Sequence, residues 1–139
     1  MDTEGSPRVF MRPNEASHAV IGCAMRVHSA IGAGVLESAA NLCMLHEMRD
    51  AGLHVEDQPT ITLAYGRVRI PGAYRVDFIV EKCLIVEIKA MQKLLPVHRA
   101  QLLTYLRITG LKLARAQRVG PLCTRAARVS LCTRSASPL

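Results

Sequence analysis

The run Leu84-Ile85-Val86-Glu87-Ile88-Lys89-Ala90 holds two charges, two residues apart, inside an otherwise oily segment. Such a segment suits a strand in the middle of a sheet covered on both faces, where an uncompensated carboxylate or ammonium costs on the order of several kcal/mol. Side chains alternate along a strand, so Glu87 and Lys89 share one face and must find partners there. The preceding strand-like run Tyr74-Arg75-Val76-Asp77-Phe78-Ile79-Val80 offers Asp77 as a third member. Asp, Glu and Lys converging on a sheet form an arrangement that binds metal and cuts phosphodiesters.

Register decides whether the three meet, because a one-residue slip sends them to opposite faces. A three-residue hairpin loop, Glu81-Lys82-Cys83, pairs Val80 with Leu84 and Asp77 with Glu87; a two-residue loop pairs Asp77 with Val86 and turns Glu87 away. In the first register, carboxylate oxygens of Asp77 and Glu87 face a hard cation such as Mg2+ with an ammonium beside it. The cation would polarise a phosphate oxygen and lower the pKa of bound water, while Lys89 orients the water or stabilises transition-state charge. The plainer alternative is a structural ion-pair cluster, or a solvated sheet face.

Around this hairpin the pattern predicts helix, helix, three or four strands, helix. Residues 1–16, with Gly5, Pro7 and Pro13 among charges, read as a loose lead-in. Ser17 is the expected cap of a helix running to about Ala30, stopped by Gly32-Ala33-Gly34. A second helix is expected from about Leu36 to Ala51, ended by Gly52. Short runs at Thr60 to Tyr65, Val68 to Ile70 (broken by Pro71-Gly72), Tyr74 to Val80 and Leu84 to Ala90 read as strands. Pro96 opens a third helix over Val97 to Ile108, with Ala100, Leu103 and Leu106 inward and Gly110 closing it. This is an α/β (α+β) class: one domain over 17–113, with a small, mixed, mainly antiparallel sheet flanked by helices. Residues 114–139, rich in Arg, Ala, Ser and Thr, read as a basic tail that is poorly ordered or weakly helical.

Charge agrees with that division. The net +7 of the 139 residues is nearly all in the last 30, which hold 6 basic and no acidic residues. A basic tail favours polyanions without showing that the folded part recognises one. The 5 cysteines are odd in number and widely spaced, so neither a zinc site nor a disulfide framework is indicated. No apolar run approaches the roughly 20 residues that cross a bilayer, and no leader pattern opens the chain, so no membrane partner and a reduced, cytoplasmic setting are expected.

Five segments, namely 21–28, 32–37 (Gly32-Ala33-Gly34-Val35-Leu36-Glu37), 74–77, 85–90 and 100–106, follow one another in the order and spacing of a known family. In them the chain resembles the GxxExxY protein family, a branch of the PD-(D/E)xK nuclease-like superfamily, from about residue 17 to 113. The resemblance implies a restriction-endonuclease-like core with Asp77, Glu87 and Lys89 at the D…(D/E)xK positions. It also implies that Gln101 on the following helix positions water or a ligand, and that Glu37 of the naming motif is an auxiliary acid; the plainer reading of Glu37 is a first-turn carboxylate favoured by the helix dipole. Mg2+ or Mn2+ on Asp77 and Glu87, and DNA or RNA as partner, follow from the same likeness. Gln101 and Tyr105, at i and i+4, form with His98 a polar stripe able to approach the sheet. Departures are Ala40 where the naming motif has Tyr, Arg26 where the family usually has Glu, and Ala33 for a usual Pro. After Leu113 the family's apolar strand gives way to Arg and Gln, so a missing strand and an exposed sheet edge are expected. The function implied is a metal-dependent nuclease-like protein; the alternative is a non-catalytic, degenerate module of the same fold that binds nucleic acid or a protein.

Overall fold

The computed structural model describes residues 7–32, 34–89, 95–119 and 127–130. Its elements are α1 Pro13–Ile31, α2 Glu37–Asp50, β1 Val55–Asp57, β2 Thr60–Tyr65, β3 Val68–Arg75, β4 Phe78–Val80, β5 Leu84–Lys89, α3 Pro96–Thr109, β6 Leu113–Arg118 and β7 Ala127–Ser130. None of the described helices is long and apolar enough to cross a membrane.

Strand β5 is the centre, as its oily composition requires. Leu84 through Ile88 are all buried, and the sheet runs β1-β4-β5-β6-β7. Alternation sends Leu84, Val86 and Ile88 to a cluster containing Val20, Ala24 and Val27 of α1 and Ala40, Met44 and Met48 of α2. Ile85 points the other way, to Leu102, Tyr105 and Leu106 of α3. Three layers result, and each large aliphatic side chain buried in them contributes about 1.5–3 kcal/mol relative to exposure. On α3 the inward residues are Leu102, Tyr105 and Leu106; Ala100, expected inward, is exposed.

Helix α1 begins at Pro13, whose fixed φ suits a first helical position, and not after Ser17. Ser17 is interior to the helix and buried, and its Oγ accepts a hydrogen bond from Arg115 Nη1 at 3.1 Å. The lead-in also makes contacts from Arg8 onward. Arg8 Nη2 donates to Gly52 O at 2.7 Å and to a carboxylate oxygen of Glu81 at 3.1 Å, and the Phe10 ring meets His54 edge-on. The cause is the β4–β5 turn, where Glu81 is 3% exposed and its carboxylate needs compensation.

That turn is the three-residue loop, with Val80 opposite Leu84. Glu81 and Lys82 adopt φ of 51° and 54°, a left-handed conformation that costs ordinary residues roughly 1–2 kcal/mol each. Hydrogen bonds from Glu81 N–H to His54 O and from His54 N–H to Glu81 Oε2 hold it in place. The Pro71-Gly72 break does not end β3. Between the pairs Ile61/Tyr74 and Leu63/Ile70 the register shifts, and the extra residues form a bulge with Gly72 at φ 64°. Strand β1, three residues long, carried no apolar signal in the sequence.

The largest difference lies after Gly110. Strand β6 is present, all six residues are buried, and it runs parallel to β5 with Glu87 opposite Ala116 and Lys89 opposite Arg118. Helix α3 supplies the crossover that a parallel pair requires. The expected missing strand and bare edge are therefore overturned, because β7 covers the far side of β6. The polar residues that made 113–118 look like tail satisfy one another: Arg115 Nε donates to Gln117 Oε1 at 2.8 Å, and Gln117 Nε2 to Arg118 O at 3.0 Å. Between them Ala114 and Ala116 face the α3 layer. Residues 120–126 and 131–139 of the expected tail lie outside the described residues.

Removing the chain from Leu113 onward is accordingly expected to abolish the cooperative thermal transition of the full chain, followed by far-UV circular dichroism. A truncated chain that melts as sharply as the full one would show that β6 is dispensable.

Candidate active site

Strands β4 and β5 are paired from Val80/Leu84 to Phe78/Val86, and there the backbone ladder stops. Asp77 precedes β4, and side chains replace the ladder beyond it. Asp77 N–H donates to Glu87 Oε1 at 2.9 Å, and Ile88 N–H donates to Asp77 Oδ2 at 2.7 Å. Each carboxylate thus takes an N–H from the other chain segment, which holds Asp77 and Glu87 together at the end of the sheet. Lys89, two residues along the same face, places Nζ 3.9 Å from Glu87 Oε2, with both side chains largely buried.

Helix α2 reaches this site from its first turns. Asn41 favours the ionised form of Asp77, and the charge of Glu37, one turn earlier, is felt by both Asp77 and Glu87. Asn41 was not anticipated; its signal was the i, i+4 spacing from Glu37. Asn41 Oδ1 is buried with no hydrogen-bond partner among the described residues. From the opposite layer, Tyr105 sits in the field of Glu87 and Asp77, its ring edge-on to Tyr74 at 5.9 Å. Gln101, one turn before Tyr105, is exposed and makes no hydrogen bond to Asp77, Glu87 or Lys89 among the described residues. Arg26 is turned to α2, where it pairs with Glu47 at 2.9 Å and touches the Cys23 thiol.

Burial is the main cause that raises the Glu87 pKa to about 7, with Asp77 repulsion second; the Asp77 N–H and Lys89 oppose it. Asp77 is raised too, by burial first and by Glu37, against the Ile88 N–H, Lys89 and Asn41. Burial and then the two carboxylates push Tyr105 up to about 12, so its hydroxyl keeps its proton. One ammonium does not neutralise this cluster. Two carboxylates with oxygens remaining beside an orphaned amide oxygen are a donor set for a hard divalent cation. Among the described residues no three His, Cys, Asp or Glu side chains converge as an all-protein cage. A pair suffices for Mg2+, which keeps several waters and is held by one or two carboxylates together with substrate phosphate.

The raised Glu87 pKa fixes the sign of a pH effect. Between the ordinary value of 4.5 and about 7 the folded protein binds the proton that the unfolded chain releases. Stability in a chelator is therefore lost as pH rises through that window and is level above it. Glu87→Gln is expected to flatten this slope and to stabilise the metal-free protein at pH 8 by on the order of 2 kcal/mol. Urea unfolding of both proteins at pH 5 and pH 8 checks it, and parallel slopes would contradict it.

No curated protein matches this sequence. Among solved structures, the crystal structure of SSO0001 aligns with 91% of this chain and 68% of its own length, at 19% identity and a TM-score of 0.39, a likeness too loose to bear on the site. The family profile described as PD-(D/E)XK nuclease superfamily matches residues 14–116. That span runs from α1 into β6 and contains Asp77, Glu87 and Lys89, the charged residues gathered where the β4–β5 ladder ends. With most of its length inside the match, the chain belongs to the PD-(D/E)XK nuclease superfamily.

Proposed function

We propose that this protein is a metal-dependent nuclease-like hydrolase of nucleic-acid phosphodiesters, in the GxxExxY branch of its superfamily and working in the cytoplasm. The observation that carries the reading is the pair of hydrogen bonds from Asp77 N–H to Glu87 and from Ile88 N–H to Asp77, with Lys89 Nζ 3.9 Å from Glu87. It sets a buried Glu87 against a part-buried Asp77, a repulsion that Lys89 and the two N–H groups offset only in part and that a divalent cation would offset further.

Asp77 and Glu87 are the ligands of Mg2+ or Mn2+, which when bound would supply polarisation of the phosphate and a more acidic water. Superfamily members generally use divalent metals, and this donor set fits one. Lys89 stabilises negative charge developing on the phosphate, since its ammonium is fixed and largely out of water. Asn41 favours the ionised form of the Asp77 carboxylate. Tyr105 contributes a protonated hydroxyl as donor. Gln101 positions water or substrate from the exposed rim of α3, and Glu37 acts as an auxiliary acid from the first turn of α2.

Two measurements separate this reading from a degenerate module that keeps only the fold. Millimolar Mn2+ or Mg2+ is expected to raise the melting temperature of the wild type and not of Glu87→Gln. Lys89→Ala is expected to keep the metal-induced shift while losing about 100–1,000-fold in hydrolysis of a mixed DNA and RNA substrate pool. No metal-induced shift in the wild type would favour the non-catalytic module.

A further inference from the structure

Strands β2 and β3 form a two-stranded ribbon of their own, outside the five-stranded sheet. Residues directly opposite each other share a face. Ile61/Tyr74, Leu63/Ile70 and Tyr65/Val68 therefore make an apolar face, and Thr60/Arg75 and Ala64/Arg69 a polar one. The inner end of the apolar face is covered by α3, where Ile61 packs with Leu102, Tyr105 and Leu106. Its outer end is bare: Tyr65 is 80%, Val68 54% and Ile70 45% exposed. Residues 60–76 contain Arg67, Arg69 and Arg75, all exposed, and no carboxylate. The ribbon leads through Val76 straight into Asp77, so its base is continuous with the candidate active site.

We propose that the β2–β3 ribbon is a docking arm that seats in the major groove of B-form duplex DNA. Arg67 and Arg69 meet the polyanion, and Tyr65, Val68 and Ile70 press on base edges. The proposal rests on the nuclease reading and names its substrate class. Dimensions agree: two strands lie about 4.8 Å apart and the uncovered tip extends about 10 Å, while the groove is about 12 Å wide and 8.5 Å deep and admits such a ribbon. Other occupants fit less well. Sequence-tolerant binding of a single strand uses successive aromatic stacking platforms, and Tyr65 is the only aromatic side chain exposed on the ribbon's tip. The major groove of A-form RNA is too narrow for side chains to read. A second copy meeting this face on itself would bring like-charged arms together.

The test measures binding by fluorescence anisotropy in Glu87→Gln protein, with a chelator present, so that binding is read apart from hydrolysis. Probes are a DNA duplex, one of its strands, and an RNA duplex of the same sequence. Replacing Arg67 and Arg69 together by Ala is expected to weaken duplex-DNA binding about 10- to 100-fold and to lower the slope of log affinity against log salt by about 2. Arg49→Ala, at an exposed position on α2, is expected to change neither. The paired Gln substitutions and matched melting curves control for folding. Unchanged affinity and slope in the double variant would overturn the proposal, as would tighter binding of the single strand or the RNA duplex. A protein dimer that dissociates on these substitutions would overturn it in favour of contact between copies. If the arm variants, with Glu87 restored, still cut DNA as the wild type does, only the arm is lost; if the parent binds none of the probes, the nuclease reading falls with it.

Discussion

Two hydrogen bonds, from Asp77 N–H to Glu87 and from Ile88 N–H to Asp77, let charged groups exist on the central strand of the sheet, where its pairing with β4 ends. An interior strand that simply lost its neighbour would leave backbone N–H groups without acceptors, at a cost of about 1–3 kcal/mol each. Here carboxylates take the place of the departing backbone. The cluster is consequently fixed in position by the same contacts that end the ladder, and its acids are buried enough that their ordinary ionisation is disfavoured. Structure and candidate chemistry share one set of atoms.

The layers around that point divide the work. α1 and α2 close one face of β5 with aliphatic and methionine side chains, and α2 also sends Glu37 and Asn41 toward the acids from its first turns. α3 closes the other face, spans the crossover to β6, and brings Tyr105 near the carboxylates. At the opposite end of β4 and β5, Glu81 is held by Arg8 and His54, which ties the start of the chain to the turn. Charges thus sit at both ends of this hairpin, but only the Asp77 end sets two carboxylates against each other beside a single ammonium.

Membership in the PD-(D/E)XK nuclease superfamily is consistent with this division, although chemistry belongs to the site and not to the fold. Ala40 lies in the buried layer of α2 with Met44 and Met48. Arg26 is occupied with Glu47 on the helix surface. Neither departure touches the Asp77–Glu87–Lys89 group itself.

Much of the site was legible because it depends on period and spacing. The alternation that sets Glu87 and Lys89 on one face and the stops at Gly52 and Gly110 are local properties of the chain; the sequence left two loop lengths open for the hairpin, and the structure takes the three-residue one that aligns Asp77 with Glu87. The helix start expected at Ser17 lies instead at Pro13 for a local reason, whereas β6 forms because its polar residues find partners elsewhere in the fold. Arg115 is polar by composition, yet it is buried by bonding Ser17, 98 positions away, and Gln117 two positions on. Asn41 likewise acquires its part only when α2 packs beside Asp77. The sequence by itself determined which residues alternate, where helices stop and which charges lie on the hairpin. Only the tertiary structure decided which polar groups are buried together, because burial and the satisfaction of hydrogen bonds arise from segments that meet in space.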